Sequence, residues 1–465
     1  MHAIESTTRW PLRSDATGHY FARDDGSPFF YLADTVWMLF SRLTQDEARE
    51  LFADRASKGF TVIQAVVFRD LFEPNTPNVD GLRPFASDQE MQAVRLDPAW
   101  IDWVVHITRI ASEYGLVLGI LPTWGDKWNE HSNSAGPVIM DIAKARDYCR
   151  QLSDGLAACD NVIWILGGDS PVQRTEDAAT IRAMALGIRE GGSSQRLMTF
   201  HPSGMGSSAL FHGDAWLDFN SLQTSHYKPN IPGYLHIERL VAEDPAKPCL
   251  DMEPNYELSP MFEVGRGPAG QPYVPVFTPY DVRKSFYRTV LAGAAGFTYG
   301  CEPIRQIIKS GDRVHIWEDV DLPNWREALD APGSAQLSLL ARILSERSYF
   351  TRVPAQELLV PPRQAGAWPD RMSIGIPAAG QENVDPASYV SVARCTAGSW
   401  VIAYVPVRQL VEVSTGTLAG DDLRVTIYDP ESLEELQRFV TPRAESIRLV
   451  PQRDLDTLFV LDAVS

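Results

Sequence analysis

Eight short apolar runs, most of them followed by a helical pattern, constrain this chain more than any other feature. They read FFYLAD (29–34), FTVIQAVVF (60–68), LVLGIL (116–121), NVIWIL (161–166), RLMTFH (196–201), LDFNSLQT (217–224), PCLDME (248–253) and GFTYG (296–300). Each has strand length. Between them lie helical patterns with their own punctuation. TQDEARELFADRASKG opens on Thr44 with Glu47 three residues on, a capping box, and stops at Gly59. DPAWIDWVVHITRIASEYG has Pro98 at its first helical position and Gly115 at its stop. DIAKARDYCRQLSDGLAACD, TEDAATIRAMALGIREGG and TPYDVRKSFYRTVLAGAAG follow suit, with a shorter helix expected near 235–243. Strand–helix alternation implies parallel strands joined by crossover helices. Eight such units predict a (β/α)8 TIM barrel, with a doubly wound open sheet as the alternative.

The texture changes near residue 350. SYVSVARCTAGSWVIAYVP, LVEVSTGTLAG, DLRVTIYD and SIRLVPQRDLDTLFVLDAV alternate apolar and polar residues between turn residues, the pattern of a small all-β sandwich. A chain of 465 residues is too long for one ordinary domain. The expected division is a barrel over 1–352 and a β-sandwich over 353–465, joined through the loop VPPRQAGAWPDRM.

The formal charge of −18 gives no basic footprint for nucleic acid or an anionic membrane. It leaves a neutral ligand such as a sugar open. No run approaches the roughly 20 apolar residues of a membrane span. The opening MHAIESTTRWPLRSD has no apolar signal region. The five cysteines are scattered and odd in number, without a paired motif. Cys149 and Cys159 fall in one predicted helix, too far apart to bridge. Together these features suggest a cytoplasmic protein. The oligomeric state is not legible.

In a barrel the chemistry collects at the C-terminal ends of the strands. Those ends carry Asp34 and Trp37; Arg69 and Asp70; Trp124, Asp126 and Trp128; Asp169; His201; His226 and Tyr227; Asp251 and Glu253; and Tyr299 and Glu302. Aromatic faces beside carboxylates suit a carbohydrate, whose C–H faces stack and whose hydroxyls hydrogen-bond. Glycoside hydrolysis uses two carboxyl groups, one to protonate the leaving oxygen and one to attack or to activate water. Asp169 and Glu253 could face each other across the barrel mouth. Asp34, Trp37, Trp124, Trp128, His201, His226, Tyr227, Asp251, Tyr299 and Glu302 are then candidate substrate contacts. A non-catalytic carbohydrate-binding barrel and a metal-dependent barrel enzyme are the competing readings. GMGSSA (204–209) fits a dinucleotide fingerprint, but Gly213 and Asp214 interrupt the helix it needs. His201, His212 and Asp214 lack the i, i+4 spacing of helical zinc sites, so neither cofactor nor metal is expected.

The segments YLADTVWMLFSRLTQDEARELFADRASKGFTVIQAVVF, VIWILGGD, CLDMEPNYE and GAAGFTYG together resemble the apiosidase-like glycoside hydrolases, glycoside hydrolase family 140. The resemblance covers about residues 10–350. The tail resembles the β-sandwich often labelled a collagen-binding-type domain. The resemblance implies an (α/β)8 barrel of the retaining-glycosidase clan. It further implies Asp169 as acid/base, Glu253 as nucleophile, and release of apiose or another plant-type terminal sugar. Phe297 stands where relatives often carry histidine, and CEP (301–303) follows where many have a different triplet, positions expected near the substrate.

Overall fold

A computed structural model describes residues 11–68, 73–132, 136–261, 265–266, 272–312, 321–361 and 387–464. Arg69, Asp70 and most of the VPPRQAGAWPDRM loop lie outside the described residues. All eight expected strands are present: β1 Tyr31–Thr35, β2 Val62–Val66, β3 Val117–Leu121, β4 Val162–Gly167, β5 Met198–His201, β6 Asn220–Leu222, β7 Cys249–Asp251 and β8 Gly296–Tyr299. Six of them pair in parallel in the order β8-β1-β2-β3-β4-β5, and β6 pairs in parallel with β7. A backbone bond spans each of the two seams. Asp218 N donates to Met198 O at 2.8 Å, and Ala295 N donates to Cys249 O at 2.9 Å. The barrel reading therefore holds over the open sheet.

Strand alternation decides what points inward. Inside the barrel, Gln64 Nε2 donates to Thr298 Oγ1 at 2.9 Å and to the Tyr31 hydroxyl at 3.2 Å. Thr298 and Tyr31 thus face the axis, and their strand neighbours face the helices. At the opposite end from the strand C-termini, short strands at Arg13–Ser14, Phe21–Ala22 and Pro28–Phe29 form a small antiparallel sheet. Its Phe21 packs edge-on against Phe219 and near Tyr31, plugging the barrel.

The crossover helices start where their caps place them. They are α1 Gln45–Ser57, α2 Pro98–Glu113, α3 Ile142–Gly155, α4 Thr175–Glu190, α5 Gly233–Val241 and α6 Pro279–Leu291. The Thr44/Glu47 capping box forms both of its bonds, and Gly59 and Gly115 take the left-handed conformation that ends α1 and α2. Helix α3 ends at Gly155, so Cys159 lies beyond it rather than in the same helix as Cys149. All five cysteines are buried free thiols. No helix among the described residues is long and apolar enough to cross a membrane.

The tail is two sheets. The larger runs β9-β10-β11-β16-β13-β14, with β9 Arg352–Pro354, β10 Ser391–Cys395, β11 Trp400–Val405, β13 Asp422–Tyr428, β14 Glu435–Pro442 and β16 Thr457–Val464. The smaller pairs β12 Val411–Ser414 with β15 Ser446–Leu449. Val401, Ala403, Val425 and Phe459 of the large sheet meet Val411, Val413 and Leu449 of the small one in a separate core. Strand β14 is absent from the sequence expectation for a physical reason: nearly every residue of ELQRFVTP is exposed, so it shows no in–out alternation. The other face of the large sheet, with Trp400, Ile402, Tyr404 and Leu458, joins the barrel core. Helix α6 is the anchor. Arg283 forks onto Asp456 at 3.0 and 2.9 Å, and Tyr287 stacks on Tyr404 with centroids 4.6 Å apart.

Candidate active site

The site is built around the turn that follows β4. Gly167, Gly168 and Asp169 have φ of 101°, 92° and 55°, three successive residues in the left-handed half of backbone space. Glycine enters that region freely, and aspartate more easily than most residues. Space also demands the glycines. A Cβ on Gly167 would lie 2.4 Å from His201 O, and one on Gly168 would lie 3.0 Å from the backbone of Thr123, Trp124 and Gly125. Gly125 N donates to Gly168 O at 2.8 Å, and the Trp128 indole N–H donates to Gly167 O at 2.9 Å. The turn is thus wedged between the loops after β3 and β5, and its backbone sets where Asp169 stands. Its Oδ1 accepts from Gly204 N at 3.2 Å.

Glu253 is held by side chains instead. It lies two residues beyond β7 and is 5% exposed. His226 Nε2 stands 3.0 Å from its Oε1, and His201 Nε2 stands 3.1 Å from its Oε2. The His201 contact is short in distance but poorly directed, leaving both atoms without a well-aligned partner. The His226 ring lies against Tyr256, with centroids 4.2 Å apart, and the Tyr256 hydroxyl reaches Thr35 Oγ1 at 3.1 Å. Trp37 and Trp124 wall His201, at 5.6 and 5.9 Å between centroids.

These surroundings push the two carboxyl groups in opposite directions. Burial raises Asp169 to about 6, the charge of Glu253 adds to this, and His201, Gln223 and Gly204 oppose it. Burial would raise Glu253 as well, but hydrogen bonding and positive charge from His201 and His226 overcome it. Glu253 is held well below the usual carboxylate range. Tyr227, half-buried beside Gly204, is raised by burial and by the charge of Asp169. The structure therefore gathers Trp37, Trp124, Trp128, His201, His226 and Tyr227 around Asp169 and Glu253.

Four expected substrate contacts turn away. Asp34 is fully buried on the outer face of β1, with Arg55 Nε of α1 at 2.6 Å. Tyr299 has the same parity on β8, and its hydroxyl donates to Glu257 Oε2 at 2.7 Å. Asp251 accepts from Thr224 Oγ1 at 2.7 Å on the side of the β7 strand facing α5. Glu302 is fully buried and takes Arg305 Nε at 3.0 Å, a layer behind Tyr256. Phe297 likewise points outward and packs edge-on against Phe286 of α6, with centroids 5.3 Å apart. Asp126 is buried against Lys127 at 2.8 Å. Sequence reading missed Tyr256, Gln223 and Gly204. Tyr256 and Gln223 lie just past strand ends and were open to detection, whereas Gly204 acts through its backbone and carries no chemical label.

The chain matches the family described as apiosidase-like, catalytic domain, over residues 15–351. No protein of curated function matches it significantly. Among solved structures, one described as a glycoside hydrolase is 24% identical with a TM-score of 0.81, covering 100% of this chain and 99% of that one. A glycoside hydrolase family 5 protein from Bacteroides vulgatus ATCC 8482 is 22% identical with a TM-score of 0.79, covering 100% of this chain and 94% of that one. At such identities the likeness speaks for the fold. With the family match over most of the chain, it identifies this protein as a glycosidase that belongs to the apiosidase-like family.

Proposed function

We propose that the protein is a retaining glycosidase that releases a terminal sugar, apiose or another plant-type glycosyl residue, from an oligosaccharide or glycoside. The observation that carries this reading is the opposed ionisation of two neighbouring carboxyl groups, Asp169 raised to about 6 and Glu253 held low. Such a split supports reading Asp169 as the acid and Glu253 as the nucleophile. In the first step Glu253 attacks the anomeric carbon as the glycosidic C–O bond breaks, and the Asp169 proton passes to the leaving oxygen. In the second, Asp169 takes a proton from water, the water oxygen bonds to the anomeric carbon, and the Glu253–sugar bond breaks. The cytoplasm is the expected setting, with a small imported glycoside as substrate. A panel of aryl apiosides, arabinosides and galactosides tests the reading. Turnover that survives in Glu253→Gln overturns it.

A further inference from the structure

A small cavity lies between α5 and α6, and neither Asp169 nor Glu253 lines it. One face of α6 supplies Lys284, Ser285, Arg288 and Thr289 to its wall. Two of these are buried cations. Lys284 is 5% exposed. Its ammonium stands 3.5 Å from Asp281 Oδ1 and 4.4 Å from the centroid of the Tyr280 ring. Asp281 also lines the cavity, but it is engaged in capping α6. Its Oδ2 accepts from Thr278 N at 3.0 Å and from Thr278 Oγ1 at 2.7 Å. Arg288 is 3% exposed, and among the described residues it meets no carboxylate. Its Nε and Nη2 donate to Tyr389 O at 3.2 and 3.1 Å, and Nη2 donates to Ala387 O at 3.1 Å. The Thr289 hydroxyl, on a residue 2% exposed, has no hydrogen bond among the described residues. Burial pushes both cations toward their neutral forms, and at Lys284 the charge of Arg288 adds to this.

We propose that this cavity is a halide site, with chloride as its ordinary occupant. Buried charge is costly unless it is paired. Here two cations share one carboxylate that already serves a helix cap, so the cavity lacks a negative charge. Its wall offers donors to fit one: the Lys284 ammonium, the Arg288 guanidinium and the hydroxyls of Ser285 and Thr289. The first residues of α5, Gly233 and Tyr234, line the same space, and the cap residue Pro232 gives that helix end no side-chain acceptor. The positive end of the α5 dipole therefore favours an anion too. Size narrows the choice. There is room for one water-sized particle, which suits a monatomic anion and leaves no space for phosphate, sulfate or a carboxylate group. The site also reaches toward the catalytic loops. Asn255, another lining residue, lies two positions beyond Glu253, and its Nδ2 donates to Lys228 O at 3.4 Å, next to Tyr227. The ion thus ties α6 to the loops after β6 and β7. This site needs no substrate and stands apart from the acid/base reading.

The test exchanges sodium gluconate for sodium chloride at constant ionic strength and follows the Tm of the full chain. Wild type should gain about 2 °C or more, along a curve that saturates with chloride. Bromide should act in the same way. Crystals soaked in sodium bromide should show an anomalous bromine peak in the cavity beside Lys284 and Thr289. Lys284→Met keeps the length of the side chain and removes its charge, so the chloride-dependent gain should vanish. If Lys284→Met does not fold, Thr289→Val removes one donor and should shift the half-saturation point to higher chloride. Equal Tm values in gluconate and chloride, with no bromine peak in the cavity, would show that the space holds only water and overturn the inference. A gain as large in Lys284→Met as in wild type, or an unmoved half-saturation point in Thr289→Val, would reveal a general salt effect and overturn it as well.

Discussion

Asp34 and Glu253 both stand at the C-terminal end of a barrel strand, both are buried, and both touch a basic side chain. They nevertheless belong to different machines. Asp34 lies within β1 on its outer face, where α1 brings Arg55 to 2.6 Å. Glu253 lies beyond β7, where the chain has left the strand and its side chain turns to His201 and His226. Arginine is a permanent cation, so the Asp34 pair is static and ties a helix to the barrel wall. The Glu253 carboxylate is held instead by two imidazoles that belong to no helix of the barrel wall. A carboxylate at a strand end is therefore no guide to function by itself. Its parity and the kind of basic side chain opposite it decide.

The sharpest way to break this comparison is to neutralise each carboxylate in turn. Glu253→Gln should show the largest loss of turnover, beyond about 10⁴-fold, since the proposed nucleophile has no substitute in water. Asp169→Asn should come next, with a loss of roughly 10²–10⁴-fold on substrates whose leaving group needs protonation. The loss should be much smaller with dinitrophenyl glycosides. Equal losses on the two substrate kinds would show that Asp169 is not the acid. The wild-type pH profile follows from the same groups. As the proposed acid, Asp169 must be protonated to act, so kcat/KM should fall as pH rises through about 6. Glu253 must be charged, and the histidines keep it so well below that point.

The sequence made the barrel legible because eight buried strands leave eight apolar runs, and because caps such as Thr44–Glu47 mark helix starts. It made the turn at Asp169 legible because two glycines announce a backbone that has to bend. It misled at Asp34, Asp251 and Tyr299, where the strand's alternation was not carried through to its end. Thr298 faces the axis, so Tyr299 and Phe297 cannot. Glu302 failed for another reason: its partner Arg305 sits one helical turn on and holds it away from the site. The strand Glu435–Pro442 was invisible because exposure on both sides erases periodicity.

Asp34→Asn should separate stability from catalysis. Removing one member of a fully buried ion pair leaves Arg55 short of its counter-charge, which typically costs about 3–5 kcal/mol. The second carboxylate near Arg55, Asp54, places the expected value at the lower end. Urea denaturation should show the loss, while kcat at a temperature where the variant remains folded should stay within about threefold of wild type. A kcat lowered as far as in Asp169→Asn would put Asp34 back in the site.

Asp251 offers the smallest effect and the finest test, because it sits two residues from Glu253 in sequence yet faces α5. Burial raises it to about 7, against hydrogen bonds from Thr224 that favour the charged form. Its folded pKa is thus above its unfolded value near 4. The folded state binds this proton more tightly, so the associated stability is full below about pH 4 and is lost as pH rises through about 7. Asp251→Asn keeps an acceptor for Thr224 and has no proton to lose. The variant should therefore show a flatter Tm between pH 5 and 8 than wild type, with kcat on an activated aryl glycoside changed by less than about twofold. If Asp251 instead belongs with Glu253, the substitution will move the limbs of the kcat/KM profile and leave the slope of Tm against pH as it was. The two measurements together place the side chain on one face of the strand end or the other.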